Sequence, residues 1–302
     1  MMESTLNYRP RRTMLYVPTH VERYLEKARG LAADSVIFDL QESVPPQHKQ
    51  TARDGLIKAF SQSKDFEYSE RIVRVNPLHT EWGKEDLEAI KNLDIDAILL
   101  PRIESADSLI QYIQQIDAIR SDKLDIMINI ESPLGVMHAE EICAASDRVS
   151  CVVMGVTDLS NELKITQTND RSGLLTSLSL VVLAARAYKK CVIDGPHFDL
   201  KNIQACEFSC RQARDLGFDG KAVVHPIQLA YTNDAFTPKL DDINRAKAII
   251  EAINQANEEG RNVAVIDDRL IEPSLKEWAE RVLTLYNTVK ELGQNELIGA
   301  SR

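Results

Sequence analysis

The chain has 302 residues, with 36 Lys and Arg against 46 Asp and Glu, so its formal net charge is −10. This acidic balance argues against nucleic acid or an anionic membrane as the main partner, because both favour a basic surface. No apolar run approaches the roughly 20 residues that cross a bilayer, the start is polar, and the five cysteines show no CxxC spacing. We therefore expect a cytoplasmic protein with reduced thiols.

Short apolar runs alternate with amphipathic stretches along most of the chain. We predict eight strands, at 14–17, 36–40, 72–75, 97–100, 126–130, 151–154, 191–193 and 222–224. Most of these runs are aliphatic or β-branched throughout, which is typical of strands buried on both faces. Apolar residues at helical spacing lie between them, for example in 21–31, 106–119 and 202–216.

Eight strand–helix units in series favour an α/β fold, a TIM (β/α)8 barrel over residues 11–238. The alternative is a doubly wound open sheet, which expects a Gly-rich turn after its first strand, whereas the turn at 17–20 reads VPTH. Residues 239–302 exceed the eight units and form a C-terminal helical extension, with a short extended segment at 262–266. This extension could cap the barrel or reach a neighbouring subunit.

Polar side chains follow the carboxyl ends of nearly all predicted strands, where a barrel carries its chemistry. They are Tyr16, Asp39, Gln41, Glu42, Arg74, Asn76, Arg102, Glu131, Thr157, Asp158, Asp194 and His225. Each alone could be a helix cap, a turn residue or a structural ion pair, such as Arg74 with Asp39. Charged residues from seven strand ends on one face are costly unless they bind something.

Glu131 and Asp158 follow the fifth and sixth predicted strands, which are neighbours in a barrel. Two carboxylates with open water positions suit Mg²⁺. Zinc is less favoured, because His225 alone among the six histidines ends a strand and no HxH or HExxH motif occurs. Arg74 lies inside an otherwise apolar strand, and its functional interpretation is an anion clamp beside the metal. No GxSxG or GxxxxGK motif supports a serine hydrolase or a P-loop.

The order and spacing of eight motifs resemble the citrate lyase β-subunit and HpcH–HpaI aldolase superfamily, in its acyl-thioester lyase branch. The motifs are RRTMLYVP, ADSVIFDLQESVPPQHKQTAR, RVN, LLPRIESA, INIESPLGV, VMGVTDL, GFDGKAVVHPIQL and IDDRLIEP. The resemblance implies a TIM barrel, commonly trimeric or hexameric, whose C-terminal segment covers a neighbour's active site. It also implies cleavage or formation of carbon–carbon bonds in 3-hydroxyacyl thioesters, with Mg²⁺ held by a Glu and an Asp.

The resemblance assigns roles residue by residue. Glu131 and Asp158 match the metal ligands. Substrate or coenzyme A contacts fall on Arg74, Tyr16, Lys27, Thr157, Asp158, Val224 and His225. The catalytic set is Arg74, which stabilises a thioester enolate, Glu272 of a neighbouring chain, which protonates the enolate carbon, and Asp39 with Glu42, which orient the arginine.

Three departures from the family pattern bear on substrate choice. The usual DLEDSV reads DLQESV, so that Gln41 and Glu42 replace an acidic pair. The acid of the tail, usually Asp, is Glu272, which moves its carboxyl group by about one bond, and such displacements can be costly. The metal pair and Arg74 remain, so we expect an active enzyme.

The leading function is cleavage of citramalyl-CoA or malyl-CoA to an acetyl thioester and a 2-oxo acid. The alternatives are a class II pyruvate aldolase on free hydroxy-oxo acids, a carrier-dependent citrate lyase β-subunit, and a non-catalytic binding or assembly subunit. A coenzyme A enzyme also needs basic residues at the barrel mouth. The candidates are Arg11, Arg12, Lys27, Lys49 and Arg53, each of which could equally be ordinary solvated charge.

Overall fold

Eight parallel strands close into a barrel in the order in which they occur along the chain, as a computed structural model shows for residues 8–62, 69–261, 263–266 and 269–292. The strands are β1 (Thr13–Pro18), β2 (Ser35–Asp39), β3 (Glu70–Arg74), β4 (Ala97–Leu100), β5 (Asp125–Ile130), β6 (Val149–Met154), β7 (Cys191–Asp194) and β8 (Gly220–Val223). β1 pairs with β8 and closes the ring. The predicted TIM barrel is confirmed.

Helices follow the strands. They are α1 (Glu22–Ala28), α2 (Lys49–Gln62), α3 (Glu81–Ile90), α4 (Ala106–Ile119), α5 (Pro133–Met137), α6 (Ala139–Ala144), α7 (Val156–Leu163), α8 (Leu175–Ala187), α9 (Ile203–Leu216) and α10 (Leu229–Phe236). Several begin at side-chain caps, as sequence preferences dictate. Thr80 accepts a hydrogen bond from the Gly83 N–H, and Ser105 accepts one from the Ser108 N–H.

Side chains on each strand alternate between two buried layers, because strand residues have a period of two. On β2, Val36 and Phe38 pack outward against the helices, whereas Ile37 points into the barrel. The interior layer contains ten buried side chains, among them Met14 and Ile72. The next inward positions on the same strands lie at the carboxyl mouth of the barrel. The fold therefore presents the polar residues at those positions to one another.

The barrel unit is Arg11–Phe236, and the chain from Thr237 onward belongs to a second compact unit. That unit contains α11 (Leu240–Glu258), β9 (Ala264–Ile266), β10 (Arg269–Ile271) and α12 (Leu275–Glu291). β9 and β10 form an antiparallel pair. Ala246, Ile249 and Ala279 are buried in an apolar cluster of this unit's own. Among the described residues, none of the helices combines the length and apolar character needed to cross a membrane.

A buried ion pair stabilises the amino end of the barrel. Arg12 and Asp34 are both fully buried, and two guanidinium nitrogens lie 2.7 and 2.8 Å from the carboxylate oxygens. We expect Arg12→Met to lower the free energy of unfolding by about 3–5 kcal/mol, because it leaves a buried carboxylate without its counter-ion. Urea unfolding measures this loss. The control is the double variant Arg12→Met/Asp34→Leu, which should regain most of the stability; a loss below about 1 kcal/mol in the single variant contradicts the prediction.

Candidate functional site

The inward rows of the strands end in polar residues that line a cavity of about 300 Å³ at the carboxyl mouth of the barrel. Tyr16 follows Met14 on β1, Asp39 follows Ile37 on β2, and Arg74 follows Ile72 on β3, each two residues further along its strand. The cavity also brings together most of the other predicted site residues, namely Glu42, Glu131, Thr157, Asp158 and Val224.

Asp39 and Arg74 form a buried, bidentate ion pair. Arg74 Nε lies 2.7 Å from Asp39 Oδ1, and Arg74 Nη2 lies 2.7 Å from Asp39 Oδ2. Asp39 also accepts hydrogen bonds from the Gln41 N–H, at 2.9 Å, and from the Ser43 N–H, at 3.0 Å. Burial alone would raise the pKa of Asp39, but the charge and hydrogen bonds of Arg74 hold that pKa below its ordinary value. Asp39 therefore stays ionised and fixes the guanidinium.

Arg74 is also held from a second side. Its guanidinium carbon lies 4.6 Å from the centroid of the Tyr16 ring, in a cation–π contact. Its remaining nitrogen, Nη1, lies 3.6 Å from Glu42 Oε2. The Glu42 side chain is 56% exposed. Burial raises the pKa of Glu42, with contributions from Asp158 and Asp39 and opposition from Arg74. A buried carboxylate and a partly buried aromatic ring thus position a permanent positive charge beside a partly exposed carboxylate.

Glu131 follows β5 directly and is buried, with 4% of its surface exposed. Burial raises its pKa to about 7 against the charge of Arg74, and the carboxylates of Asp158 and Glu42 add to the rise. Asn129 Nδ2 donates to Glu131 Oε2 at 3.3 Å. Gly155 packs against Glu131 so closely that a Cβ atom there would lie 2.2 Å from Glu131 Cβ. The protein therefore gathers ionisable oxygens whose mutual repulsion a cation would relieve.

These residues fit Mg²⁺. Glu131 and Asp158, the latter in the first turn of α7, both line the cavity and offer oxygen ligands. Asn129 Oδ1 is buried and has no hydrogen-bond partner among the described residues. No group of three or more His, Cys, Asp or Glu side chains in the described part of the chain could hold a metal. A two-carboxylate site suits Mg²⁺, which usually keeps several waters, better than a metal that needs a full set of protein ligands.

A second cavity of about 340 Å³ adjoins the first on the side of β8, β1 and α1, and shares Tyr16 and Val224 with it. Its walls include two further predicted residues, Lys27 and His225, together with Arg23. His225 Nδ1 accepts a hydrogen bond from the Ile227 N–H at 3.2 Å, so this histidine also caps the turn that follows β8. The second cavity is the more basic of the two.

Comparison with known proteins identifies the family to which the chain belongs. The family model described as HpcH/HpaI aldolase/citrate lyase matches residues 12–226. The chain belongs to this family. A (3S)-malyl-CoA thioesterase of Cereibacter sphaeroides is 40% identical over 263 residues, which cover 87% of this chain and 90% of the relative. A citrate lyase subunit beta of Leuconostoc mesenteroides subsp. cremoris is 32% identical over 287 residues, with 93% and 95% covered.

A solved structure of the family resembles the whole fold. It is CitE from Mycobacterium tuberculosis in complex with magnesium, acetoacetate and coenzyme A, with a TM-score of 0.74 and 26% identity, and the match covers 91% of this chain and 98% of that chain. Other crystals of that CitE hold magnesium with acetoacetate, or magnesium with oxaloacetate. The predicted family resemblance is therefore confirmed.

The prediction that the polar strand ends form one site is wrong for three residues, Asp194, Arg102 and Asn76, which do not line the site cavity. Asp194 accepts from the Lys221 amine at 2.5 Å and from Arg171 at 2.7 Å in a buried ion cluster. Arg102 pairs with Glu162 at 2.6 Å and does not line the site cavity. Asn76 donates to the buried carboxylate of Asp86 at 2.6 Å and does not line the cavity either. These three strand ends have structural partners of their own.

The prediction that four other basic residues face coenzyme A phosphates is also wrong. Arg11 and Arg12 pair with carboxylates at the amino end of the barrel, opposite the site. The Lys49 amine donates to two backbone carbonyls and one amide oxygen. Arg53 pairs with buried Asp86 at 3.2 Å. Of the predicted set, the lysine of α1 alone lines either cavity.

Two residues that depart from the family pattern, Gln41 and Glu272, are not among the residues that line the site cavity. Gln41 contributes its backbone N–H to Asp39, and its side chain does not line the cavity. Glu272 belongs to the second unit, where it is exposed and lies 3.4 Å from the Ser274 hydroxyl. Its role toward a neighbouring chain stays a prediction. Sequence reasoning did not single out Asn129, Gly155 or Phe198, although Asn129 lies two residues before Glu131 and the strand period places both on one face.

Proposed function

We propose that this protein is a Mg²⁺-dependent lyase that cleaves the coenzyme A thioester of a short 3-hydroxy acid, malyl-CoA or citramalyl-CoA, to acetyl-CoA and a 2-oxo acid. The observation that carries the proposal is the arrangement of the site cavity. A buried guanidinium, fixed by Asp39 and Tyr16, lies in the same cavity as the carboxylate pair of Glu131 and Asp158. The name of the (3S)-malyl-CoA thioesterase and the coenzyme A bound in the CitE structure support a hydroxyacyl thioester as substrate.

Glu131 and Asp158 would hold the metal, with Asn129 as a neighbour that orients Glu131. When bound there, Mg²⁺ supplies Lewis-acid polarisation to the carboxylate and hydroxyl of the future oxo acid. The burial of Glu131 serves this role, because a carboxylate in a poorly solvated site binds a cation more strongly than one in water.

The substrate hydroxyl would give its proton to a cavity carboxylate or to water as it becomes the carbonyl of the oxo acid. The carbon–carbon bond breaks at the same time, and Arg74 would stabilise the negative charge that its electron pair carries to the thioester oxygen. A pre-oriented donor of this kind contributes most where charge develops in the transition state. Asp39 holds the guanidinium in place through Nε and Nη2. The third nitrogen, Nη1, is not bonded to Asp39 and lies on the side of the cavity carboxylate Glu42. Asp39 is thus a positioning residue and Arg74 a catalytic one.

The enolate carbon then needs a proton, and we propose Glu272 of a neighbouring copy as the donor, in a homotrimer or hexamer. Within the same chain, Glu42 is the cavity carboxylate that belongs neither to the bidentate pair with Arg74 nor to the proposed metal pair. Glu272→Gln distinguishes the two donors, because it should abolish exchange of the methyl protons of acetyl-CoA with solvent if Glu272 is the acid. Exchange that persists in Glu272→Gln and disappears in Glu42→Gln assigns the role to Glu42.

The second cavity would take the coenzyme A arm of the substrate. It opens from the first at Tyr16 and Val224, so a thioester that lies between the two cavities passes the Arg74 guanidinium. Arg23 and Lys27 on α1 supply positive charge for phosphate groups. This arrangement favours a coenzyme A thioester over a free acid.

A second candidate function is hydrolysis of the same thioester, because a relative with 40% identity is a (3S)-malyl-CoA thioesterase. The same arginine could stabilise the oxyanion that forms when water attacks the thioester carbonyl. The two reactions differ in the bond that breaks. Hydrolysis releases a free thiol and the intact hydroxy acid, whereas the lyase reaction releases a 2-oxo acid and no thiol.

The deciding experiment offers purified protein (S)-citramalyl-CoA, (R)-citramalyl-CoA, malyl-CoA and citryl-CoA, each with Mg²⁺ and with EDTA. Free thiol and 2-oxo acid are measured in parallel. Oxo acid without thiol, dependent on Mg²⁺, is the expected result. Thiol without oxo acid assigns the hydrolase. Neither product from any thioester contradicts both, and favours a carrier-protein thioester, a free hydroxy-oxo acid or a binding role.

A glycine variant tests the metal site without removing a ligand. Gly155→Ala should weaken Mg²⁺ binding about tenfold or more, because the new Cβ would lie 2.5 Å from Glu131 Oε2 and must displace that carboxylate. Titration calorimetry measures the affinity. Gly30→Ala is the matched control, since a Cβ at Gly30 meets nothing within 4 Å. Equal Mg²⁺ affinity in the two variants contradicts the assignment of Glu131.

A further inference from the structure

The loop 40–43, directly after β2, supplies backbone donors to Asp39. The Gln41 N–H donates to Asp39 Oδ1 at 2.9 Å, and the Ser43 N–H donates to Asp39 Oδ2 at 3.0 Å. These are the same two oxygens that accept hydrogen bonds from Arg74. The conformation of the loop therefore sets the position of the carboxylate, and the carboxylate sets the position of the guanidinium.

The carbonyl groups of the same loop are bound by a buried lysine. Lys49 is the first residue of α2, and its amine lies 2.9 Å from the Leu40 carbonyl oxygen and 2.6 Å from the Gln41 carbonyl oxygen. A third hydrogen bond, of 2.7 Å, joins the amine to Asn76 Oδ1. An ammonium group has three donors and no acceptor, so these bonds use its whole capacity.

A single peptide group connects this lysine to the site. The Leu40 carbonyl and the Gln41 N–H belong to one planar, trans peptide unit, in which the two groups point in opposite directions. The Lys49 amine binds one end of that unit, and Asp39 Oδ1 binds the other. Three successive hydrogen bonds, of 2.9, 2.9 and 2.7 Å, thus lead from the amine to Arg74 Nε. In such a chain each bond polarises the next.

The position of the amine is itself fixed. Lys49 is 6% exposed, and its amine lies 5.2 Å from the centroid of the Trp82 ring, in a cation–π contact. Asn76 links the amine to the carboxylate of Asp86, to which its amide nitrogen donates at 2.6 Å. Burial lowers the pKa of Lys49, and the charges of Asp86 and Asp39 oppose that fall. The ammonium therefore interacts with the charge of the site carboxylate as well as with the loop.

We infer that Lys49 is a positioning residue of the site. Its ammonium holds the loop 40–43 in the conformation in which the N–H groups of the loop meet Asp39, and so sets the position of the Arg74 guanidinium. Lys49 lines neither cavity, so it acts through Arg74 and not on the substrate. The inference rests on the proposed function only for the measurements that need turnover.

Hydrogen exchange tests the loop without any substrate. Lys49→Met should speed exchange at the Gln41 and Ser43 amides at least about tenfold, because the loop loses both carbonyl contacts to the amine. Lys190→Met is the matched control, since Lys190 is also buried, at 8% exposed, and its amine donates to the Ser146 carbonyl at 3.1 Å. It should leave both amides as in the wild type. Unchanged exchange in Lys49→Met, or equal acceleration in both variants, overturns the inference whatever the reaction is.

A double-mutant cycle tests whether the lysine acts through Arg74. In the wild-type background, Lys49→Met should lower kcat about 10- to 100-fold with a smaller change in KM, since a displaced catalytic group slows the chemical step. In the Arg74→Lys background the same change should cost less than about threefold, because the group that it positions is already absent. Losses that multiply in the double variant overturn the inference. If none of the thioesters reacts, the proposed function fails and the exchange measurement decides the inference by itself.

A milder variant covers the case in which Lys49→Met does not fold. Lys49→Gln keeps an uncharged donor on a shorter side chain, which cannot bind all three oxygens. It should speed exchange at the loop amides at least about threefold and lower kcat in the same direction. Wild-type exchange and wild-type kcat in a folded Lys49→Gln variant overturn the inference, since the ammonium would then not be what holds the loop.

Discussion

Glu131→Gln should reduce Mg²⁺-dependent turnover by about 10³-fold or more, since a metal ligand that stabilises transition-state charge contributes several kcal/mol and each 1.4 kcal/mol is a factor of ten in rate. The amide matches the carboxylate in shape but cannot carry the charge that holds the cation. Asp158→Asn should give a comparable loss. Mg²⁺ titration and product assays measure both effects.

The same variant should stabilise the folded protein when no metal is bound. Burial raises the pKa of Glu131 to about 7, well above the ordinary 4.5. The folded state therefore binds this proton more tightly than the unfolded state, so that the ionised carboxylate costs stability as pH rises from about 4.5 to 7. In EDTA at pH 8, Glu131→Gln should unfold at a higher urea concentration than the wild type.

These two measurements separate catalysis from folding. A variant that is inactive because it is misfolded loses both activity and stability, whereas Glu131→Gln should lose activity and gain stability. Activity within tenfold of the wild type, or wild-type activity that persists in EDTA, contradicts the metal assignment. The exposed carboxylate Glu22 offers a matched control, since Glu22→Gln should change neither property.

Arg74→Lys should lower kcat by about 10²–10³-fold, the usual loss when one pre-oriented donor to a developing oxyanion is removed. Lysine keeps the positive charge but cannot reproduce the two hydrogen bonds to Asp39, at 2.7 Å each, and at the same time present a third nitrogen to the cavity. The charge remains in the site, so KM should change less than kcat. Steady-state kinetics on the thioester that reacts measures the split.

Arg102→Lys is the matched control for this second prediction. Arg102 also follows a barrel strand, but it pairs with Glu162 and lines neither cavity. We expect wild-type kinetics from Arg102→Lys. Equal losses in the two variants, or a fall in Arg74→Lys that a lower melting temperature explains completely, would count against a catalytic role for Arg74.

The barrel could be predicted from the sequence because each strand is a short apolar run, and such runs are buried on both faces. Two helices were not predicted. α7 begins at Val156, two residues after β6 ends, and α10 follows β8 after a single short turn at Pro226–Gln228. Both have only eight residues, which is too few for a clear helical period. β10 was not predicted either, since its three residues lie among charged residues in DDRLIEP and make no apolar run.

The site could be predicted in part. Residues on the inward rows, such as Asp39, Arg74 and Glu131, were found because a charge at the end of an apolar run stands out in the sequence. The same signal failed for Asp194, whose partners Arg171 and Lys221 come from distant parts of the chain. Pairing of that kind depends on tertiary contacts. Val156 and Phe198, which also line the cavity, were not found because valine and phenylalanine outside a strand carry no chemical signal.

The interior layer of the barrel has a consequence for how this site can change. Met14, Ile37 and Ile72 stand directly below Tyr16, Asp39 and Arg74 on the same rows, so the packed hydrocarbon is the floor on which the charged groups rest. A swap of one methylene in that floor would tilt the groups above it, because close-packed interiors transmit small displacements. Phe198, by contrast, is borne on a loop at the rim. Substitutions at the rim should therefore disturb the charged groups less than substitutions in the buried floor do.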